Sequence, residues 1–382
     1  MPDVTEWMLD PEVAYLNHGA FGALPKPVAA AAAELRAQME ANPASLLARN
    51  LPKKLDHVRE LVSALLGGDP AGAVFVPNAT TGTATVIASL ESSFSPGDEL
   101  LTTDHRYGAV TAQFARSAEK YGTTPVVAHV PLDVKSADEV VAALVERITS
   151  RTRLLVVDSI ASLSGFVFPV ADIVAAAHER GVPVLVDAAH APGQIHVDLA
   201  RIGADFWVGN LHKWVCSPRA AAYLHIAPQW RDAVRPFVAS HGFGKGFHDA
   251  FDWTGTFDPV NLLAVPAAFG FWSTQGGWDE VRRRQQEIVD DGAKRVAAAF
   301  DTTSPIDEQF RAAMRIIELP VQLDATAARQ VETRLADEYR IEISLMPLHD
   351  KSWARVCGQV YNTPDDYDRL AAALPEVLQA EE

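Results

Sequence analysis

The chain has 382 residues, 48% of them hydrophobic and 21% charged, with 33 Lys and Arg against 49 Asp and Glu and a formal net charge of −16. That length excludes a small disulfide scaffold, and so acidic a surface repels phosphate backbones, which argues against nucleic-acid binding. Two distant cysteines without zinc spacing (Cys216 and Cys357), an acidic N-terminus and no apolar run near the roughly 18 residues of a membrane span lead us to expect a cytoplasmic protein with neither metal nor membrane partner.

In chain order, the first predicted element is an alanine-rich helix over 27–39. Short β-branched or apolar runs then predict strands at 73–76, 99–102, 124–128, 154–157, 184–187, 205–208 and 221–226. Helical patterns at 111–120, 137–149 and 172–180 separate several of them. Alternation of this kind predicts an α/β fold with a mostly parallel sheet covered by helices on both faces. From about Pro259 the pattern changes to a long helix near 276–300, strands at 315–319 and 341–345, and a helix near 364–378. We therefore expect a large domain over 1–258 and a smaller α+β domain over 259–382.

In an open parallel sheet, ligands bind beyond the carboxyl ends of the strands, so polar residues just after apolar runs are the ones to weigh. The run V-P-V-L-V-D-A-A-H-A-P-G ends on Asp187 and sets His190 in the following turn. Next, D-F-W-V-G-N-L-H-K-W-V-C places Lys213 between His212 and Trp214, where an amine would be desolvated and nucleophilic. The stretch V-F-V-P-N-A-T-T-G opens a helix near Thr80 and Thr81, whose free N–H groups suit an anion. Arg355, on a short strand, offers a planar fork for a carboxylate. Each feature has an ordinary alternative as a turn, a cap or a surface residue. Together they are what a pyridoxal phosphate enzyme needs: a Schiff-base lysine, an acid 26 residues earlier for the pyridine nitrogen, a phosphate cradle and a carboxylate anchor.

Those segments, with L-N-H-G-A-F-G at Leu16–Gly22, W-T-G-T at Trp253–Thr256 and R-x-x-x-Q-x-Y-N at Arg355–Asn362, resemble the class V aminotransferase family of fold-type I pyridoxal phosphate enzymes, in its isopenicillin N epimerase-like branch. The resemblance implies Lys213 as the Schiff-base lysine, Asp187 on the ring nitrogen and His190 near the phenolic oxygen. It implies His212, Thr80 and Thr81 around the phosphate, joined by Thr256 from a second subunit, hence a homodimer. Arg355 would take the substrate carboxylate, with Asn17 and His18 on the substrate side. An aromatic ring over the cofactor falls in D-H-R-Y-G, where Tyr107 is preferred and His105 is the runner-up.

Two departures bear on the reaction. Relatives carry His in a D-H-x-T-S segment where this chain reads Asp158, Ser159, then Ala161 and Ser162, and G-T-R-D-P becomes G-T-F-D-P with Phe257, an apolar residue expected near the substrate. The loop 346–352 lacks the cysteine that persulfide transfer requires. No G-x-G-x-x-G turn follows an early strand, which removes a nicotinamide dehydrogenase. The expected function is carbon–sulfur β-elimination or decarboxylation-coupled oxidative deamination of an amino acid such as a cysteine S-conjugate, in specialised metabolism of the antibiotic kind. Epimerisation is the alternative, followed by transamination.

Overall fold

The computed structural model describes residues 4–379. Its centre is a seven-stranded sheet made of β1 (Ala73–Val76), β2 (Glu99–Thr103), β3 (Thr124–Ala128), β4 (Thr152–Asp158), β5 (Val184–Asp187), β6 (Phe206–Asn210) and β7 (Ala222–Ile226), in the order β1-β7-β6-β5-β4-β2-β3. The strands β3, β2, β4, β5 and β6 run parallel, while β7 is antiparallel to both β6 and β1. Successive side chains feed opposite faces: Leu155, Val157, Val184, Val186 and Trp207 join one core, and Leu154, Val156, Leu185, Phe206 and Val208 join the other. Burial on both faces explains why these strands read as continuous apolar runs. Each such side chain contributes roughly 1.5–3 kcal/mol by leaving water.

Helices α1 (Lys26–Ala41), α2 (Leu51–Leu66), α3 (Ala79–Leu90), α4 (Gly108–Tyr121), α5 (Ala137–Val145) and α6 (Val170–His178) accompany this sheet. The sequence pattern placed the start of α4 later, because Gly108 and Ala109 carry no apolar periodicity. Helix α7 (Trp278–Ala298) then spans two cores, with Val281 in that of the large sheet and Val289 and Val296 in the second. The second core lies beside an antiparallel sheet of β8 (Met314–Glu318), β9 (Ser344–Leu348) and β10 (Lys351–Cys357), in the order β9-β10-β8, with helices α8 (Ala325–Tyr339) and α9 (Pro364–Gln379).

The N-terminal segment crosses between the two. Ala14 and Tyr15 pair in parallel with Ile341 and Glu342, and Ala14 and Leu16 are buried in the second core. The chain then turns back toward the large sheet at Gly22, whose φ of 67° is left-handed and whose missing side chain lets the backbone meet the loop after β6. A Cβ there would stand 2.1 Å from the His212 carbonyl oxygen. Gly193 approaches the same loop, and a Cβ on it would lie 2.6 Å from the Trp214 oxygen. These two glycines let that loop be gripped from both sides. Gly22→Ala should therefore cost at least about 2 kcal/mol, and an unchanged urea midpoint would show that the grip is not needed.

Candidate active site

The carboxyl edge of the large sheet is polar where its middle is not. Asp158 ends β4, Asp187 ends β5 and Asn210 ends β6, and strand register puts Asp158 directly beside Asp187. Both carboxyls are about 96% out of solvent, at 4% exposure each. Burial pushes both pKa values up, that of Asp158 well above the carboxylate range with Asp187 adding to the rise. Asp187 Oδ1 accepts the Ala189 N–H at 3.1 Å, which fixes the carboxyl at the strand end.

Lys213 lies in the loop after β6. Its Nζ is 3.1 Å from His190 Nε2, while His190 Nδ1 accepts the Trp214 indole N–H at 3.4 Å. With Nδ1 accepting, the neutral ring carries its proton on Nε2 and donates it to the lysine nitrogen, which must then be a free amine. Electrostatics points the same way: burial, with Arg355 nearby, lowers the Lys213 pKa to about 8, and burial holds His190 neutral.

Helix α3 begins beside these groups. Asn78 caps it, its Oδ1 accepting the Thr81 N–H at 2.8 Å and the Thr81 hydroxyl at 3.1 Å. Asn210 Oδ1 accepts the Ala79 N–H at 2.8 Å and so ties the helix start to β6. His212 donates Nδ1–H to the Ala221 carbonyl at 3.1 Å, and burial lowers its pKa to about 4.

These side chains enclose two adjoining chambers. The inner one, about 250 Å³, is lined by Asn78, Thr80, Asp158, Asp187, His190 and Lys213, among others. The outer one, about 420 Å³, is lined by Asn17, Ser162, Glu332, Glu342, Met346 and Arg355 among others, and it shares Ala20, Phe21, Tyr107, Ser162 and Lys213 with the inner chamber. Arg355 is 4% exposed, on β10. Its guanidinium donates to the Ser162 carbonyl and, at 2.8 Å, to Asn17 Oδ1. Asn17 is itself held by donating to the Ile343 carbonyl at 3.3 Å. Segments from the N-terminus, the large sheet and the small sheet thus aim one cation into the outer chamber.

Not every residue expected at the site lies there. His18 is fully buried, donating Nε2–H to the Lys213 carbonyl at 3.1 Å and accepting from Tyr361 Oη at 3.0 Å through Nδ1. Burial lowers its pKa to about 3. It braces the lysine loop from behind rather than lining the substrate side. His105 is likewise buried, bonded to Ser164 Oγ and the Val130 carbonyl at 2.8 Å each, outside the lining of either chamber. Tyr107 does line both and is 46% exposed. Thr81 spends its hydroxyl on the cap. Thr256 is exposed and borders neither chamber within one chain, and Phe257 borders a separate cavity of about 270 Å³ with Phe75, Phe251 and Leu262.

Sequence reasoning did not single out Asn210 or Asn78, and met Asp158 and Ser162 only as part of a departed motif. Asn210 was detectable, because it is the polar residue that closes the run D-F-W-V-G-N. Ser162 acts through its backbone carbonyl, which no sequence pattern marks.

The inner chamber combines an amine, a buried acid and a helix start, with room for a single substituted ring. That donor set suits pyridoxal phosphate. A mostly parallel sheet carrying a lysine-centred site of this kind, under a small antiparallel domain, defines a fold-type I pyridoxal-phosphate enzyme. The model of the family "Aminotransferase class-V" matches residues 14–345, so the chain belongs to the class V aminotransferase family, as its motifs indicated. It is 32% identical to an isopenicillin N epimerase of Amycolatopsis lactamdurans, over 97% of this chain and 96% of that protein. It is 30% identical to a probable chloroplastic L-cysteine desulfhydrase of Arabidopsis thaliana, over 96% of this chain and 83% of the other. Among solved structures, the cystine C–S lyase C-DES, in complex with its product cysteine persulfide, superposes with a TM-score of 0.82 at 21% identity, over 95% of this chain and 97% of that one.

A lowered amine pKa has a direct readout. In cofactor-stripped protein, acylation of Lys213 should rise with pH through about 8, because the reactive form is the neutral amine and its fraction grows as pH passes the pKa. Mass spectrometry of the labelled peptide would follow it. A midpoint near the 10.5 of an ordinary lysine would contradict the desolvated environment.

Proposed function

We propose that the protein is a pyridoxal-phosphate-dependent lyase that breaks the carbon–sulfur bond of a cysteine S-conjugate by β-elimination. When bound, pyridoxal phosphate supplies an aldehyde for the substrate amine and a ring that accepts the electron pair left at the α-carbon. The observation that carries the reading is Lys213, a buried amine with a pKa near 8, paired with His190. Such an amine is partly neutral at physiological pH and can take a proton from the α-carbon without a large mismatch in basicity. His190 keeps that amine oriented and unprotonated.

Asp187 would hold the pyridine nitrogen and His190 the phenolic oxygen. Thr80, His212 and the start of α3 would hold the phosphate, with Thr81 serving the Asn78 cap that shapes that helix start. Arg355 would fix the substrate carboxylate, its fork positioned by Asn17 and the Ser162 carbonyl, and Tyr107 would cover the ring at the chamber mouth. Thr256, exposed in one chain, would complete the phosphate site of a second copy, which makes the working form a homodimer. The exposed Phe21, Phe237, Val238 and Phe243 support an assembled state, and two buried free thiols suit a reducing cytoplasm.

Elimination is favoured over sulfur transfer by the cysteines. Among the described residues neither Cys216 nor Cys357 lines a chamber; both are buried and burial pushes both thiols up. The sulfur therefore leaves with the substrate fragment instead of passing to a protein thiol. The names borne by the Arabidopsis relative and by C-DES support the same chemistry. Epimerisation is the second reading and rests on the isopenicillin N epimerase relative. The substitution of Ser159 for a ring-bearing residue counts against it.

Lys213→Ala should lose the visible absorption of protein-linked cofactor and at least about a thousandfold in turnover, and a persistent band would refute the assignment. Asp187→Asn should keep the band but lose roughly a hundredfold or more in kcat with KM little changed; near-normal turnover would remove Asp187 from its role. Incubation with a cysteine S-conjugate in deuterium oxide, followed by mass spectrometry, separates the reactions. Pyruvate is expected. Carbon dioxide would mark the decarboxylative route, and intact substrate with one deuterium and an inverted α-carbon would return the protein to the epimerases.

A further inference from the structure

Away from the lysine chamber, three side chains distant in sequence converge. Asp104 follows β2 and His129 follows β3, and the register that pairs Thr103 with Ala128 sets the two side by side. His349 arrives from the small sheet, at the tip of the β9–β10 hairpin. It and Asp350 adopt left-handed φ angles of 51° and 59°, as a two-residue type I′ turn requires. Asn-Gly usually fills such a turn, and histidine and aspartate are among the non-glycine residues that tolerate its left-handed backbone best.

Asp104 Oδ2 accepts from His129 Nδ1 at 2.5 Å and from His349 Nε2 at 2.7 Å. The other carboxylate oxygen accepts the Val130 N–H at 3.1 Å, which fixes the orientation of the group. All three ligand-type atoms lie within 4.8 Å of one another. Solvent reaches the cluster, because the His129 side chain is 66% exposed and those of His349 and Asp104 are 20% and 18% exposed.

We propose that Asp104, His129 and His349 form a binding site for a zinc-class divalent cation that staples the β2/β3 edge of the large sheet to the β9–β10 hairpin of the small one. Two imidazoles and one carboxylate are a borderline-soft donor set, and three ligands leave a fourth position for water. With metal–ligand bonds of about 2.0–2.2 Å in a tetrahedral arrangement, the ligand atoms stand roughly 3.3 Å apart. The two short contacts therefore open by less than about 1 Å, a movement that the exposed His129 ring is free to make. To ligate, each ring presents a lone pair to the cation at the nitrogen that otherwise gives its N–H to Asp104. The Val130 N–H supplies the outer hydrogen bond that orients a ligating carboxylate.

The staple would act on the substrate side. Tyr107 lies three residues beyond Asp104 and Met346 three before His349, and both line the outer chamber. A cation at the cluster would hold those two walls at a fixed separation.

The test uses tag-free holoenzyme, stripped of metal by a chelator and titrated with Zn²⁺ by calorimetry, with melting temperature followed in parallel. We expect one equivalent per chain at micromolar or tighter affinity, and a rise in melting temperature of about 4 °C at a hundredfold excess over Kd. His129→Ala and His349→Ala should each abolish the binding and the rise. The His129 ring is mostly exposed, so His129→Ala should keep the metal-free melting temperature, and its loss of binding would not be a folding failure. Absence of binding at micromolar Zn²⁺ would overturn the proposal, as would equal uptake by wild type and both variants.

Discussion

The structure turns on keeping one lysine amine out of water. Taking Lys213 from solvent disfavours its ammonium form, and the cost is met by surrounding the loop that carries it with groups that tolerate a neutral amine. His190 faces the nitrogen, Trp214 fixes the tautomer of His190, and His18 holds the backbone of the loop through the Lys213 carbonyl. Gly22 and Gly193 allow two other segments to close on the loop without side chains in the way. The arrangement brings together three separate stretches of chain, at 18–22, 190–193 and 213–214, so the basicity of the amine is a property of the assembled fold.

The same constraint assigns work to the histidines. Burial lowers the pKa of His18, His105, His190 and His212, yet only His190 and His212 border a chamber. In His18 and His105 both ring nitrogens are committed to protein partners, which makes them cross-links between segments. A buried ring with two internal partners stabilises by satisfying carbonyls and hydroxyls that burial would otherwise leave unpaired. The carboxyl pair at the ends of β4 and β5 follows a related logic. Two acids side by side in an apolar sheet cannot both ionise easily: burial raises both, Asp187 pushes Asp158 further up, and the nearby Lys213 draws each of them back.

Much of this was legible from residues in order along the chain. The strand ending at Asp187 and the loop bearing Lys213 announce themselves, because a fully buried parallel strand reads as an unbroken apolar run and whatever polar residue follows it stands at the ligand edge. Arg355 was readable as a fork on a strand, but not its supports, since Asn17 and Ser162 reach it from segments more than a hundred residues away. The preference for Tyr107 over His105 had no physical basis in the sequence: two residues apart just after a strand, one faces the chamber and the other the interior, and packing of His105 against Phe166 and Phe168 shows which.

The sequence by itself determined the α/β class, the strands of the large sheet, the family and the residues that could carry the chemistry. Those depend on local periodicity and on short contiguous motifs. The tertiary structure alone decided which histidines serve the site and which brace it, that Phe257 borders a separate cavity within one chain, and that Asp104, His129 and His349 meet between the two sheets. The physical reason is the same in each case. Exposure, tautomer and pKa are set by neighbours brought together across the fold, and a linear pattern carries no information about which distant carbonyl, ring or carboxylate will be within 3 Å.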